Sequence, residues 1–563
     1  MKTRIRSCAV LFLACIISSL SAQPGTHFLE AEDGTLTSVS VMNTNPGFSG
    51  KGYVSNITSD NSSIVFNFES NEGLFNLILG YATPNGSKGC EIVLNGTTIT
   101  AMLPNVGKTF STNSLGKVEL TEGQNSLVIK RGWGWYDLDY IMLQPATAAL
   151  LKTVPDSLID ASASSETRSL FRFLLYNYGK KILSGQQEES DINYIKNITG
   201  KTPAVGHFDF MDYSPSRIQF GANPAGNAEK MINWSKRTNG LVSISWHWNA
   251  PTDLINEEPD KLWWSGFYTR ATTFDIQATL ADTSSERYHL LLRDMDAIAV
   301  QLKKFQNEGI PVLWRPLHEA SGTWFWWGAK GHEAYIKLWR LMVSRFRDYH
   351  QIHNLIWVYT TGDPQWYPGD DWVDIVSHDI YTSKGSPMSA QWEETFNQFN
   401  GKKIVTLSES GTLPVMDKVT KYGTWWSYFS LWTGDFIRSY PHNDVREAYS
   451  HSLVINAEDL PDWKNFIVST EQHDFLPSSI NVSFYPNPFN PVTTLKIVLK
   501  ESSNISIEVF SVLGKSVMKM EKNGLSLGEN YIRLDAGELN SGVYLVKITA
   551  NSEVFVRKIT LLK

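Results

Sequence analysis

Cysteine is nearly absent. Three occur in 563 residues, and Cys8 and Cys15 lie in an apolar run near the N-terminus, which leaves Cys90. A disulfide framework and a Cys-ligated metal site within one chain are both excluded. Positive charge is not in excess either: 50 Lys and Arg face 57 Asp and Glu, a formal net charge of −7. A nucleic-acid partner would normally leave a basic stripe, so none is expected. Beyond the N-terminus no segment reaches the ~20 apolar residues needed to cross a bilayer, and no membrane span is expected.

The early apolar run, CAVLFLACIISSL, follows Met-Lys-Thr-Arg-Ile-Arg and precedes small residues before Gln23. That order is a secretory signal, expected to cover residues 1–22 and to be removed on export. The remaining length is too great for one ordinary core, so several domains are expected. Residues 26–145 alternate short β-type runs (SIVFNF, LFNLILGYA, CEIVLNG, NSLVIKR) with turn signals such as Asn85-Gly86 and Asn95-Gly96, the pattern of a β-sandwich. Residues 146–168 read as a linker of small and polar residues. Residues 169–478 alternate strand-like and helix-like stretches. Eight strand candidates follow in order: KILSGQQ, AVGHFDF, LVSISWHW, PVLWRPLHE, NLIWVYT, DIVSHDIY, KIVTLSES and WWSYFSLWT. Eight strands with intervening helices over this length predict a (β/α)8 TIM barrel. Residues 480–563 read as a second, small β-sandwich. The fold class is thus multidomain, with a TIM barrel flanked by two sandwiches and a monomer expected.

Tryptophan is abundant: of 20, all but Trp133 and Trp135 lie between Trp234 and Trp463. Its densest stretch, RPLHEASGTWFWWG from Arg315 to Gly328, sets an Arg-His-Glu group beside three indoles. A cleft that grips something flat and polar uses both, because aromatic faces pack on the C–H faces of sugar rings while polar groups read hydroxyls. Several predicted strands end in polar or aromatic residues: Gln186, Asp209, His247, Glu319, Tyr381 and Glu409. A barrel interior carries no unpaired charge, so this clustering points to the catalytic face. Glu319 ends the fourth strand and Glu409 the seventh. Two carboxylates ~5–5.5 Å apart suit a retaining glycosidase, one as nucleophile and one as acid/base. Either glutamate alone could instead be a salt-bridge partner of Arg315. If the pair is catalytic, Arg315 becomes the cation that keeps the nucleophile ionised, and His318 can orient a carboxylate or a sugar hydroxyl. A zinc site of the HExxH type fails, because Glu319 is followed by Ala-Ser-Gly.

The middle segment resembles glycoside hydrolase family 26, the β-mannanase family. The resemblance rests on SGQQ, GHFDFMDYSPSR, SWHWNAP, WWSGFYTRATTFDI, RPLHEASGTWFWWG, YPGDDWVDIVSHDIY and TLSESG. It implies Glu319 as acid/base and Glu409 as nucleophile, with no cofactor for catalysis. It further implies that His318 supports the acid, Trp324 forms a subsite wall, Tyr381 hydrogen-bonds the nucleophile and His247 contacts sugar. Trp432 would be the platform at the cleavage subsite, with Trp426 as the alternative. His378 departs from the small or aromatic residue expected there. The N-terminal segment, opening on FLEAEDG and closing on GWGWYDLDYIML, resembles carbohydrate-binding modules of families 35 and 6. That implies a structural calcium held by Glu30, Glu32 and Asp139, hard oxygen ligands of the kind calcium takes, and a sugar platform of Trp133 and Trp135. The C-terminal segment, with YPNPFNP, GVYLVKI and RKITLLK, resembles a type IX secretion sorting domain and implies an encounter with that machinery.

The expected activity is an exported, retaining endo-β-1,4-mannanase acting on mannan, glucomannan or galactomannan. A sister activity on mixed-linkage glucan or β-1,3-xylan, an exo-acting mannobiohydrolase and a non-catalytic polysaccharide-binding protein stay open at this point. Endo or exo action turns on whether a loop such as INEEPDKLWW closes one end of the cleft.

Overall fold

The computed structural model describes residues 25–360, 362–466, 481–499, 502–512, 514–526, 528–550 and 553–563. The expected signal, 1–22, and the expected end of the barrel segment, 467–478, lie outside the described residues. Two compact units result: one holds the N-terminal segment to Ala149 with Asp156–Phe466, the other groups Leu150–Pro155 with the C-terminal segment.

The N-terminal module is a sandwich of a six-stranded and a five-stranded sheet. Its strands alternate as half-buried strands must. In Ser63–Ser70, for example, Ile64 and Phe66 face inward. They meet Leu77, Leu79, Ile92, Leu127, Ile129 and Ile141 in one core, with Cys90 buried among them as a small hydrophobe.

All eight predicted barrel strands are present and close in parallel. We number them β1 (Gly185–Gln187), β2 (Val205–Asp209), β3 (Leu241–Trp246), β4 (Val312–Pro316), β5 (Leu355–Thr360), β6 (Ile375–Ile380), β7 (Ile404–Ser410) and β8 (Phe429–Leu431). Strands covered on both sides need continuous burial, and β3, β5 and β7 are buried at every position. The expected first strand is divided. Ile182–Leu183 pairs with Val454–Ile455, and the barrel strand starts only at Gly185. There β8 passes so close that a Cβ would lie 2.3 Å from the Phe429 carbonyl oxygen.

The expected linker also ends earlier than its composition suggests. Ser165–Asn177 is a helix whose Ser164 side chain accepts from the Thr167 N–H, the usual N-cap arrangement. Just before it, Ile159 N–H donates to Asp374 at 2.7 Å and Asp160 meets His353 at 2.8 Å. Small polar residues here serve as caps and ties to the barrel.

Docking of the module on the barrel uses strand Gly107–Leu120 against helix Ser389–Gln398. Lys117, only 5% exposed, pairs with Glu393, and its backbone N–H donates to Ser389 Oγ at 2.8 Å. Burial pulls the Lys117 ammonium down to about 8. Gly116 lies at φ +85 with its backbone against the barrel, where a Cβ would come within 2.6 Å of Ala390 N.

The C-terminal segment is a separate sandwich of three and four antiparallel strands over a core that includes Leu495, Ile507, Val546 and Ile548. Among the described residues no helix is long and apolar enough to cross a membrane.

Gly116→Val should force the module away from the barrel, because it adds bulk and disfavours the left-handed backbone. The expected cost is on the order of 1–3 kcal/mol, read by calorimetry as a lower Tm. An unchanged Tm would mean that this contact contributes no stability.

Candidate active site

The acid-bearing turn is strained. Pro316 ends β4, and the chain continues through Leu317 at φ 50 and Glu319 at φ 54, two side-chain-bearing residues in the left-handed region. Each such residue costs about 1–3 kcal/mol and persists only where its surroundings hold it. Trp327, fully buried, helps to do so: its indole N–H donates to the His318 carbonyl at 2.9 Å.

A bulge aims the second glutamate. Along β6 and β7, His378 pairs with Leu407 but Asp379 pairs with Glu409, so Ser408 is the extra residue. The bulge sets Glu409 beside Asp379. Glu319, Asp379 and Glu409 then each bring one carboxylate oxygen within 4.8 Å of the other two. A metal could sit among three such acids, but a guanidinium already meets two of them. Arg315 is fully buried, and its Nη2 donates to Asp379 and, at 3.0 Å, to Glu409 Oε2. Its Nη1 donates to Ser245 Oγ at 2.9 Å. Tyr381 donates its hydroxyl to Glu409 Oε1 at 2.7 Å, and Gln187 reaches Oε2 at 3.5 Å.

One cation for three carboxylates leaves negative charge in excess. Burial first, and the Glu409 charge second, push the Glu319 carboxyl above its ordinary value, against the pull of Arg315. Burial likewise drives Asp379 well up, with Glu409 and Glu319 adding to it and Arg315 opposing.

Two histidines form the neighbouring wall. His247 Nδ1 lies 2.5 Å from Asp209 Oδ2, and its Nε2 lies 3.1 Å from His318 Nε2. Burial alone would lower His247, but Asp209 outweighs it and the net direction is up. Burial, then Arg315 and the neighbouring imidazoles, hold His318 well below its usual range, so it is neutral. His378 belongs elsewhere. Strand alternation puts it on the face opposite Asp379, and burial pulls it down to about 4.

The indoles of the densest stretch divide by role. Trp324 is 48% exposed at the rim and donates to Glu319 Oε2 at 3.0 Å. Trp326 is buried and donates to the Trp248 carbonyl at 2.6 Å. Trp432, half-buried, stands edge-on to His247 with ring centroids 6.0 Å apart. Trp426 must be corrected: it is 1% exposed and precedes β8, at the end of the strand away from the catalytic face. It is core packing and has no access to the cleft.

Asp379 is not among the residues the sequence singles out, although it stands two residues before Tyr381 in SHDIY and so shares its face. Asp209 is legible in the sequence only as a strand end without a partner. His207 and Ser245 gave no local signal, because buried polar residues in strands look alike until their neighbours are known.

In the module, Trp133 and Trp135 are 59% and 56% exposed. Glu30 and Asp139 share Ser49: its hydroxyl donates to Glu30 Oε2 at 2.7 Å, and its N–H donates to Asp139 Oδ1 at 2.9 Å. Glu32 Oε1 accepts from the Lys51 and Gly52 N–H groups, while its Oε2 is buried without a partner among the described residues. Burial and mutual repulsion push Glu30 and Asp139 upward. An unpartnered carboxylate oxygen beside two further acids is a donor set that fits Ca2+.

Comparison with known proteins identifies the three segments. Residues 159–459 match glycosyl hydrolase family 26, residues 27–146 carbohydrate binding module (family 35), and residues 483–561 the secretion system C-terminal sorting domain. The chain is 40% identical over 451 residues to a mannan endo-1,4-β-mannosidase of Thermothelomyces thermophilus, spanning 79% of this chain and 93% of that protein. The crystal structure of a Podospora anserina GH26-CBM35 β-(1,4)-mannanase is similar with TM-score 0.58 and 40% identity, over 78% of this chain and 100% of that one. A ruminal GH26 endo-β-1,4-mannanase gives TM-score 0.56 at 28% identity, over 78% and 99% of the two chains. The chain belongs to glycosyl hydrolase family 26, with a family 35 carbohydrate-binding module before the barrel and a secretion-system sorting domain after it.

Proposed function

We propose that the protein is an exported, monomeric, retaining endo-β-1,4-mannanase that cleaves mannan, glucomannan or galactomannan by double displacement. The observation that carries the reading is that Glu319 and Glu409 each bring a carboxylate oxygen within 4.8 Å of the other, a close pair of the kind that direct attack at the sugar needs. Mannan as substrate is supported by the relatives, which are named as mannanases at 40% identity.

In this reading Glu409 attacks the anomeric carbon while Arg315 and Tyr381 hold its two oxygens. Glu319, kept protonated by burial and by the charge of Glu409, gives its proton to the leaving oxygen. Esterification then removes the Glu409 charge, so the Glu319 pKa falls and the carboxylate becomes the base for the incoming water. Trp324 donates to Glu319 and keeps it aimed. His247, His318 and Trp432 line the sugar position. Asp379 shares Arg315 with the nucleophile and so moderates its charge. Trp133 and Trp135 offer the module's sugar platform. A Ca2+ held by Glu30, Glu32 and Asp139 would neutralise the acids that tie the first and last strands to the Ser49 turn. The segment 1–22 and the sorting domain together support export through the type IX route.

The substrate assignment is tested by product analysis on a panel of polysaccharides. Manno-oligosaccharides are expected, and glucose or xylose oligomers alone would sink the mannan reading. Glu409→Ala should abolish turnover while polysaccharide binding survives, as measured by affinity electrophoresis; retained full activity would mean another nucleophile. Glu319→Ala should lower the rate on polysaccharide by about 100- to 10,000-fold but spare aryl glycosides with good leaving groups, which need no proton. Because Glu319 must hold a proton and its pKa is raised, kcat/KM should fall as pH rises through that raised value. A basic limb at the ordinary glutamate value, about 4.3, would contradict this.

A further inference from the structure

We propose that His207 is a positioning residue for the glycosidase reaction, acting through Ser245 to fix the Arg315 guanidinium against Glu409 and Asp379. The inference rests on Glu409 being the nucleophile.

Arg315 offers one nitrogen, Nη2, to both carboxylates. A small rotation of the guanidinium would therefore change which acid is better neutralised. On its other side the cation is anchored by a single described partner, Ser245 Oγ, because Arg315 Nε is buried without one. The strands bring these groups together. Ser245 on β3 is the cross-strand partner of Arg315 on β4, and His207 on β2 pairs with Ser243, one alternation below on the same face.

Hydrogen-bond bookkeeping then constrains the serine hydroxyl between them. A guanidinium has no acceptor, so Ser245 Oγ must accept from Arg315. Its own hydrogen is left to donate, and the His207 Nε2 lies 2.7 Å away. With that assignment His207 Nε2 is the acceptor and the neutral ring carries its proton on Nδ1, which is buried without a hydrogen-bond partner among the described residues. A protonated His207 would point a second donor at Ser245, leave the hydroxyl hydrogen without an acceptor, and add a cation near Arg315. Burial first, then Arg315 from β4 and His247 from the end of β3, oppose that protonation, against the Ser408 backbone of β7, which favours it. His207 and Ser245 are buried at 1% and 3% exposure, so no water competes for these bonds.

His207→Leu removes the acceptor at similar volume, whereas His207→Gln retains one. In His207→Leu the hydroxyl of Ser245 is expected to turn, and the guanidinium to lose its aim. On soluble manno-oligosaccharides kcat should fall about 10- to 100-fold with KM little changed. The acid limb of kcat/KM should move to higher pH, because the nucleophile has lost part of its cation. His207→Gln should stay close to the parent enzyme in both respects. Ser245→Ala, a smaller change, should repeat the His207→Leu pattern and decides the matter if His207→Leu does not fold. Parent-like kcat and pH profile in Ser245→Ala would overturn the proposal, as would equal damage in His207→Gln and His207→Leu. Glu409→Ala, run alongside, separates this outcome from failure of the nucleophile assignment itself: full activity there would remove the ground for both.

Discussion

A single guanidinium, fully buried, faces three carboxylates at the mouth of the barrel, and the chemistry of the site follows from that imbalance. A carboxylate without a cation would be costly to bury, and a cation without an acid equally so. Arg315 pairs with Glu409 and Asp379, so the buried cation is compensated on that side. Glu319, out of direct contact with the cation and held by an indole N–H, is pushed toward its protonated form, as Asp379 is. Glu319 and Glu409 are thus the same residue type held in different electrostatic surroundings.

That arrangement needs a backbone that would not form in isolation. Leu317 and Glu319 adopt left-handed conformations, and Ser408 is a bulge in β7. Both irregularities lie where a clustered carboxylate, Glu319 or Glu409, leaves the regular strand direction. The buried indoles around them are structural clamps: Trp327 holds the His318 carbonyl and Trp326 holds that of Trp248. Aromatic richness in this region therefore divides between the few rings that meet solvent and the many that keep a strained turn in place.

The module is joined to the barrel by more than its linker. Lys117 gives up solvent to pair with Glu393, and Gly116 permits backbone contact. A module so joined keeps a constant place relative to the barrel.

Local pattern in the chain was enough to determine the eight-stranded barrel, the flanking sandwiches and the two glutamates at strands four and seven. Each of these is written as periodicity or as a motif, and periodicity acts over a few residues. What neighbours in sequence do not encode is which side chains converge from different strands. Asp379 beside both glutamates, the His207–Ser245–Arg315 series, the burial of Trp426 and the docking of Gly116 all arise from closure of the barrel and packing of the module. Only the tertiary structure decided them, because burial, pKa and hydrogen-bond direction depend on atoms brought together from across the chain.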